Sequence, residues 1–365
     1  MIDGGEGLDG VIAAHTVLSD VDGEAGRLII RGHNLDELAG RWDFEAVLAL
    51  LWAGFFPDLP DAPADALGRA RVEVFEAMSA TPAEPAPAAG LVESVRALIA
   101  RLDDGDSAHL ALRLVAAPAV FTAALTRLAS GRRPMAPDPA LGHAADILRM
   151  TRGVVARPAE VAALDAYLVT VADHGLNAST FAARVVASTR AGLTSAVLAG
   201  LSALKGPLHG GAPGPVIDML DQIGDPRHAR AWLEAAMDRG DRLMGFGHRV
   251  YRVRDPRADA LKRAVAGLVT EGAPPSTRLA LAEAVESAAL AVLRDRKPDR
   301  SLQTNVELYT ALLLEALGFA PEAFTAVFAM GRTAGWIAHA REQIAGGRLV
   351  RPQSVYVGPR ASVAA

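Results

Sequence analysis

The sequence predicts an all-α protein with one minor β-hairpin near its N-terminus. Three observations carry that reading. Apolar residues recur at helical spacing from Asn34 to Ile344, candidate helices open on Asn, Asp or Asp-Pro and close on Gly or Pro, and the one hairpin signal precedes Asn34.

The opening segment mixes glycines with short apolar runs at 10–12 and 16–18, then reads Asp22-Gly23 and Arg27-Leu-Ile-Ile-Arg-Gly32. Asp-Gly between β-prone runs signals a hairpin. Asn34 with Glu37 three residues on has the form of a capping box, and Asp43 precedes the apolar run 44–52, which stops at Gly54 and Pro57. Helical periodicity follows at 64–78 and 91–102, separated by a Pro- and Ala-rich stretch, 81–90, that reads as a surface loop. The run 110–128 contains Pro118, expected to kink or divide it, and 132–139 is another proline-punctuated loop. Helices are expected at 141–150, 159–172 and 179–204, the last long, weakly polar and buried on most sides.

After Gly211 the helices carry more charge. Asp225-Pro226 caps one ending near Gly240, Asp255-Pro256 caps another through Val269, and a third runs from Ser276 to Arg294. They read as a smaller, more exposed domain, so 1–211 and 322–365 are assigned to a large domain and 212–321 to a small one. Helices at 306–317 and 322–344 return to apolar faces, and the tail 347–359 has strand or extended character. No fixed-period repeat appears, which argues against a solenoid.

The totals agree with a globular protein of two domains: 365 residues, 51% hydrophobic. No uninterrupted apolar run approaches the roughly 18 residues of a membrane span, and 1–10 lacks a basic and apolar leader pattern, so cytoplasmic residence is expected. Zero cysteines exclude disulfides, thiolate metal sites and a cysteine nucleophile. A formal charge of −5 gives no bulk attraction to nucleic acid or membrane, leaving room for a local basic site that meets a phosphorylated cofactor. Lysine occurs only at 205, 262 and 297 among 37 basic residues, so a single arginine is weak evidence of function.

Three histidines stand at three backbone breaks. They are His174 in Asp173-His-Gly-Leu-Asn177, His209 in Lys205-Gly-Pro-Leu-His-Gly-Gly211, and His248 in Gly245-Phe-Gly-His-Arg-Val-Tyr251, followed by Asp255-Pro-Arg257. Glycine at a helix boundary permits sharp turns and close approach, so the three are read as converging on one site. His15, His33, His109, His143 and His228 are read as structural or surface residues. No pair has His-x-x-x-His spacing, so no metal site is expected. Neutral imidazoles can instead hydrogen-bond carbonyl oxygens as negative charge develops on them. Enolising a thioester or ketone also needs a carboxylate base, and Glu307 in Thr304-Asn-Val-Glu-Leu-Tyr309 is the candidate, although a first-turn glutamate equally suits the helix dipole. Arg257, Arg332 and Arg351 could fork onto a dicarboxylate or be plain surface charges.

With those residues in view, the chain resembles the citrate synthase family, of the bacterial short-chain citrate and 2-methylcitrate synthase type, over nearly its whole length. The resemblance rests on Asp173-His-Gly-Leu-Asn-Ala-Ser-Thr-Phe181, Leu204-Lys-Gly-Pro-Leu-His-Gly-Gly211, the His248 and Asp255-Pro-Arg257 motifs, and Gly331-Arg-Thr-Ala-Gly-Trp336, with Gly7 to Gly10, Ile30-Arg-Gly32 and Arg351-Pro352 outside them. It implies a helical fold whose small domain closes over the large one, in a homodimer. It also implies that acetyl-CoA, as co-substrate rather than a permanently bound cofactor, condenses with oxaloacetate to citrate and CoA. By position, His209 would stabilise the enol of the thioester, His248 polarise the ketone and Glu307 stand as base. His174, Arg257 and Arg332 would hold carboxylates, with Arg351 reaching in from the other subunit and Arg252 meeting CoA phosphates. The chain departs from the family where Glu307 replaces aspartate, where Gly175 replaces the glutamate of Asp-His-Glu, and where Pro213-Gly214 replaces Asn-Glu. Propionyl-CoA condensation and a catalytically idle paralogue that binds CoA or a dicarboxylate are the alternatives.

Overall fold

Glycine spacing on the last helix explains how the fold closes. In the computed structural model, which describes residues 8, 10–60, 62–80, 90–210, 214–248, 250–268 and 277–359, that helix runs through the interior. The elements in order are β1 Ser19–Asp22, β2 Arg27–Ile30, β3 His33–Asn34, α1 Leu35–Leu38, α2 Phe44–Trp52, α3 Pro63–Ala80, α4 Leu91–Ile99, α5 Ala108–Ala129, α6 His143–Arg152, α7 Pro158–Val171, α8 Ala178–Ser188, α9 Leu193–Leu204, α10 Gly214–Ile223, α11 Ala229–Asp238, α12 Pro256–Gly267, α13 Thr277–Arg296, α14 Val306–Ala316 and α15 Phe324–Gly346. The expected all-α architecture is the observed one. The three strands form one antiparallel sheet in chain order, with Asp22 facing Arg27 across a four-residue tip, 23–26.

Local chemistry sets the helix starts. The side chains of Asp43, Ser107, Asn177, Asp255 and Asn305 each accept a first-turn backbone N–H, and Asn34 with Glu37 forms the expected capping box. These bonds satisfy donors that a helix cannot pair internally, which fixes both the start of each helix and the direction in which the preceding turn projects.

Two expectations are corrected. Pro118 does not divide its helix, because α5 continues through it and is packed by α3, α4, α6, α9 and α15. That packing outweighs the ~3 kcal/mol a helix-interior proline costs. Continuous, α5 is long and apolar enough on average to cross a membrane although Arg113 and Arg127 interrupt its apolar run, but 83% of its apolar window is buried inside the fold, which marks a core helix. The single helix expected at 179–204 is two, α8 and α9, parted by a turn in which Arg190 has φ 61° and Gly192 φ 98°. The tail after Gly347 forms no strand. Position 81–89, Val269 and Ser276, all subjects of expectations, lie outside the described residues.

Every residue of α15 from Ala326 to Ala340 is buried, as a helix packed on all sides requires. Its neighbours are α2, α4, α5, α7, α8 and α9. Close approach to α7 depends on Gly331 and Gly335. A Cβ at Gly331 would lie 2.7 Å from the Leu168 carbonyl oxygen, and one at Gly335 would overlap the Ala172 carbonyl oxygen. Gly200 of α9 lies against the Trp336 ring, 2.7 Å from where a Cβ would be. Elsewhere α11 packs on α13, α12 on α14, and α12 also on α7.

Gly335→Ala is expected to lose about 1–3 kcal/mol, the usual penalty for overpacking, read as a lower urea midpoint. Gly346→Ala, on the exposed last turn with nothing within 4 Å of the added methyl, should leave stability unchanged or raised.

Candidate active site

The first histidine sits where α7 ends. The chain leaves α7 through Asp173 and His174, turns at Gly175 with φ 57°, and enters α8 at its cap, Asn177. The Gly175 N–H donates to Ser19 Oγ at 3.0 Å, so β1 holds this turn. His174 is buried, with Nε2 3.1 Å from the Tyr251 hydroxyl and its ring edge-on to His248 at 5.6 Å between centroids. Burial, then the nearby Arg257, His248 and Arg332, hold its pKa well below that of an ordinary histidine.

His209 follows α9. The chain folds straight back on the helix end, with Gly210 N–H on Leu204 O at 2.8 Å, and a Cβ at Gly210 would come within 2.6 Å of Leu204. Only glycine allows this turn, which aims His209 inward. His209 Nε2 is 2.9 Å from Ser179 Oγ, which donates to Asn177 Oδ1 at 2.7 Å and accepts from Trp336 Nε1 at 3.1 Å. Asn177 Oδ1 also accepts the Ser179 and Thr180 N–H groups, which fixes the serine in place beside the ring. Burial first, then Arg332 and Arg257, push the His209 pKa down to about 4.

The third histidine is held by main chain. Gly245 and Gly247, at φ 85° and 79°, pack on Leu308 and Leu302, while Asn305 Nδ2 donates to the Gly247 carbonyl at 2.8 Å. His248 Nδ1 accepts the N–H groups of Val250 at 3.0 Å and Tyr251 at 3.1 Å. Its proton is therefore on Nε2, which lies 3.2 Å from Arg257 Nη2. Two donors thus face each other, and an oxygen seated beside them would accept from both. Burial and Arg257 lower the His248 pKa to about 4, so it too is neutral at pH 7.

The two inner arginines differ. Arg257 is buried at the start of α12, gripped by the Asp255 carboxylate at 3.0 and 2.8 Å, a pairing that keeps its pKa raised against burial. Arg332 is buried on α15, with Nε on the Val171 carbonyl at 2.6 Å and Nη2 without a hydrogen-bond partner. Burial lowers its pKa to about 10, with Asp173 nearby as a partial counter-charge. A buried guanidinium with an unused N–H₂ is a site built for an anion.

Glu307 stands in the first turn of α14, half-buried, with Oε2 buried and without a hydrogen-bond partner. Burial raises its pKa, opposed by Arg242, by hydrogen bonding with Asn305 and the Gly245 backbone, and by Arg257. Arg257 influences His174, His209, His248 and Glu307 alike, which ties the four to one region. Of the other expected residues, Arg252 is exposed on the His248 loop. Arg351 is exposed in the tail with Nη1 on the Pro352 carbonyl and makes none of these bonds.

The sequence reading passed over Ser179, Tyr251 and His339. His339 Nδ1 accepts from Arg184 Nη1 at 2.9 Å, so its Nε2–H donates to Asp173 at 3.1 Å, behind the His174 turn. Its signal was its place on α15: Arg332, Trp336 and His339 follow at four and three residues, one helix face. Of the histidines read as structural, His143 is buried and stacked on Phe44, and His109 pairs with Glu73 at the surface. Among the described residues no group of three His, Asp or Glu is placed to hold a metal ion. A polar cavity of about 300 Å³ beside α12 lies outside the imidazole cluster, and its cations Arg254, Lys262 and Arg263 are already paired with acids.

A family model described as citrate synthase, C-terminal domain, matches residues 7–353. The 2-methylcitrate synthase of Mycobacterium tuberculosis is 36% identical over 364 residues, 97% of this chain and 90% of that one. Among solved structures, the citrate synthase of Thermotoga maritima superposes with a TM-score of 0.84 at 31% identity, covering 99% of this chain and 97% of that one. The citrate synthase of Thermoplasma acidophilum, in ternary complex with carboxymethyl coenzyme A and oxaloacetate, gives 0.83 at 27% identity, covering 98% and 96%.

Burial of neutral imidazoles sets a pH dependence. An unfolded histidine titrates near 6.5 and His209 and His248 near 4, so between those values the unfolded chain binds more protons and stability falls as pH drops. Glu307, raised by burial, has the opposite sign above the ordinary glutamate value of 4.5. A His209→Gln/His248→Gln double variant should therefore lose less stability than the parent between pH 6.5 and 4, measured by urea unfolding at each pH.

Proposed function

The chain belongs to the citrate synthase family, and from that premise we propose that it condenses acetyl-CoA with oxaloacetate, releasing citrate and CoA. One observation carries the proposal. Two imidazoles neutral at pH 7, that of His248 with its Nε2–H left to donate, share a buried region with a guanidinium lacking a partner on Nη2 and a carboxylate lacking one on Oε2. That inventory matches the charges a thioester enolisation and an aldol-type attack create.

In this proposal Glu307 takes a proton from the thioester methyl while a hydrogen bond from His209 stabilises the charge left on the thioester oxygen, giving an enolate. The enolate carbon then attacks the ketone carbon of oxaloacetate, and the ketone oxygen, held by His248 Nε2–H, ends as the citrate hydroxyl by taking up the proton that Glu307 removed. Water finally hydrolyses the citryl thioester, and the sulfur leaves with a proton as CoA. The Arg332 Nη2 group, Arg257 and His174 bind the two carboxylates, and the neutrality of the histidines keeps the cationic charge of the pocket on the arginines. Acyl-CoA enters as co-substrate, its phosphates meeting Arg252, and no resident cofactor is required.

We extend the proposal to a closing small domain, 212–321, and a homodimer that supplies Arg351 across the subunit interface. The tail supports this, because Val355, Tyr356 and Val357 are 86%, 71% and 93% exposed, an apolar run suited to cover by a second copy. Glu307 carries its carboxylate one methylene beyond the usual aspartate, yet it is half-buried and burial raises its pKa, the direction that favours a general base. The 2-methylcitrate synthase relative motivates a second acyl substrate, propionyl-CoA, since one methylene is worth only about 1–3 kcal/mol in a pocket.

The test is release of CoA thiol from acetyl- or propionyl-CoA, expected only when oxaloacetate is also present. Glu307→Gln should lower kcat by about 10²–10⁴, the usual worth of a general base, and Glu307→Asp should retain turnover. No thiol release from either acyl-CoA at high enzyme concentration would reduce the protein to a binder.

A further inference from the structure

We infer that the N-terminal β-hairpin is a strut that sets the spacing of the His174 and His248 turns, with Gly23 as a positioning residue for His248. The inference rests on the proposed function for its catalytic consequence and on geometry alone for the rest. The hairpin touches both turns. At its base Ser19 Oγ accepts the Gly175 N–H at 3.0 Å, and Val21 Cγ2 lies 3.1 Å from where a Cβ on Gly175 would be. At its tip the Gly23 carbonyl accepts the Arg252 N–H at 2.9 Å, and a Cβ on Gly26 would come 2.6 Å from Val253 Cγ2. The tip is itself ordered by Asp22, whose Oδ1 accepts the N–H groups of Glu24 at 3.1 Å and Ala25 at 2.9 Å.

The decisive contact is at Gly23. A Cβ there would overlap the Val250 carbonyl oxygen and reach within 2.8 Å of its carbon. That carbonyl belongs to the same peptide unit as the Tyr251 N–H, which points to the opposite side and donates to His248 Nδ1 at 3.1 Å. Anything that pushes the oxygen tilts the plane and withdraws the N–H. The hairpin therefore presses on one edge of the peptide whose other edge fixes the protonated nitrogen of His248. Gly23 has no positive φ, so alanine is barred there by this contact and not by backbone conformation. The same hairpin holds Gly175, so a shift at the tip is shared with the His174 turn, whose ring meets His248 at 5.6 Å.

The experiment compares the full-length protein with Gly23→Ala and with Glu24→Ala, a change at the same exposed tip that touches neither turn. The readouts are kcat, KM for acyl-CoA, and ring ¹⁵N shifts of His248. Gly23→Ala should lower kcat at least about tenfold with KM changed less than about twofold, as expected for a sub-ångström misplacement, and should lose the single Nε2–H tautomer. Glu24→Ala should change none of these. Retention of both kcat and tautomer in Gly23→Ala overturns the inference. Should that variant fail to fold, amide exchange in the unaltered protein decides: the Arg252 N–H is expected to be protected, and exchange at an unprotected rate overturns the strut. An unaltered protein with no turnover sinks the proposed function, while the tautomer and exchange readouts still decide the strut.

Discussion

The structure depends on how closely α15 lies against the end of α7. Without Cβ atoms at Gly331 and Gly335 the two backbones approach to contact with the Leu168 and Ala172 carbonyls, and Arg332 Nε reaches the Val171 carbonyl at 2.6 Å. One helix face then delivers three groups: Arg332 beside the imidazoles, Trp336 against Ser179, and His339 against Asp173. Were the helices spaced by ordinary side chains, roughly 8–10 Å between axes, that face would stand back from the His174 turn and the buried arginine would have no pocket to enter.

Electrostatics follow from that packing. Taking Arg257 and Arg332 out of water is costly, and the fold offsets the cost unequally. Asp255 matches Arg257 with two bonds, while Arg332 keeps a free donor. Burial holds His174, His209 and His248 neutral, and the positive field left over from the arginines lowers their basicity further.

Much of this was legible in the sequence because glycine and proline mark where a backbone must bend. His174, His209 and His248 stood out for their punctuation, and all three lie in turns that only such residues allow. The helix starts were legible for the same local reason, a capping side chain. What could not be read was tertiary. Pro118 obeys its neighbours more than its own preference, and the break at Arg190, though Gly192 marks it, lies inside an apolar stretch that reads as one helix. His339 lies mid-helix with nothing local to mark it, and its bond to Asp173 appears only once α15 and α7 are side by side. Nor does any local pattern tell that Gly23 faces a peptide more than two hundred residues away.

The two imidazoles are secured by different means. Main-chain N–H groups of Val250 and Tyr251 grip His248, so its tautomer depends on where that stretch of backbone lies and not on the identity of either side chain. The ring of His209 meets a side chain instead, the hydroxyl of Ser179. Exchanging that one serine would reach the imidazole directly, whereas at His248 the holding atoms belong to the backbone itself.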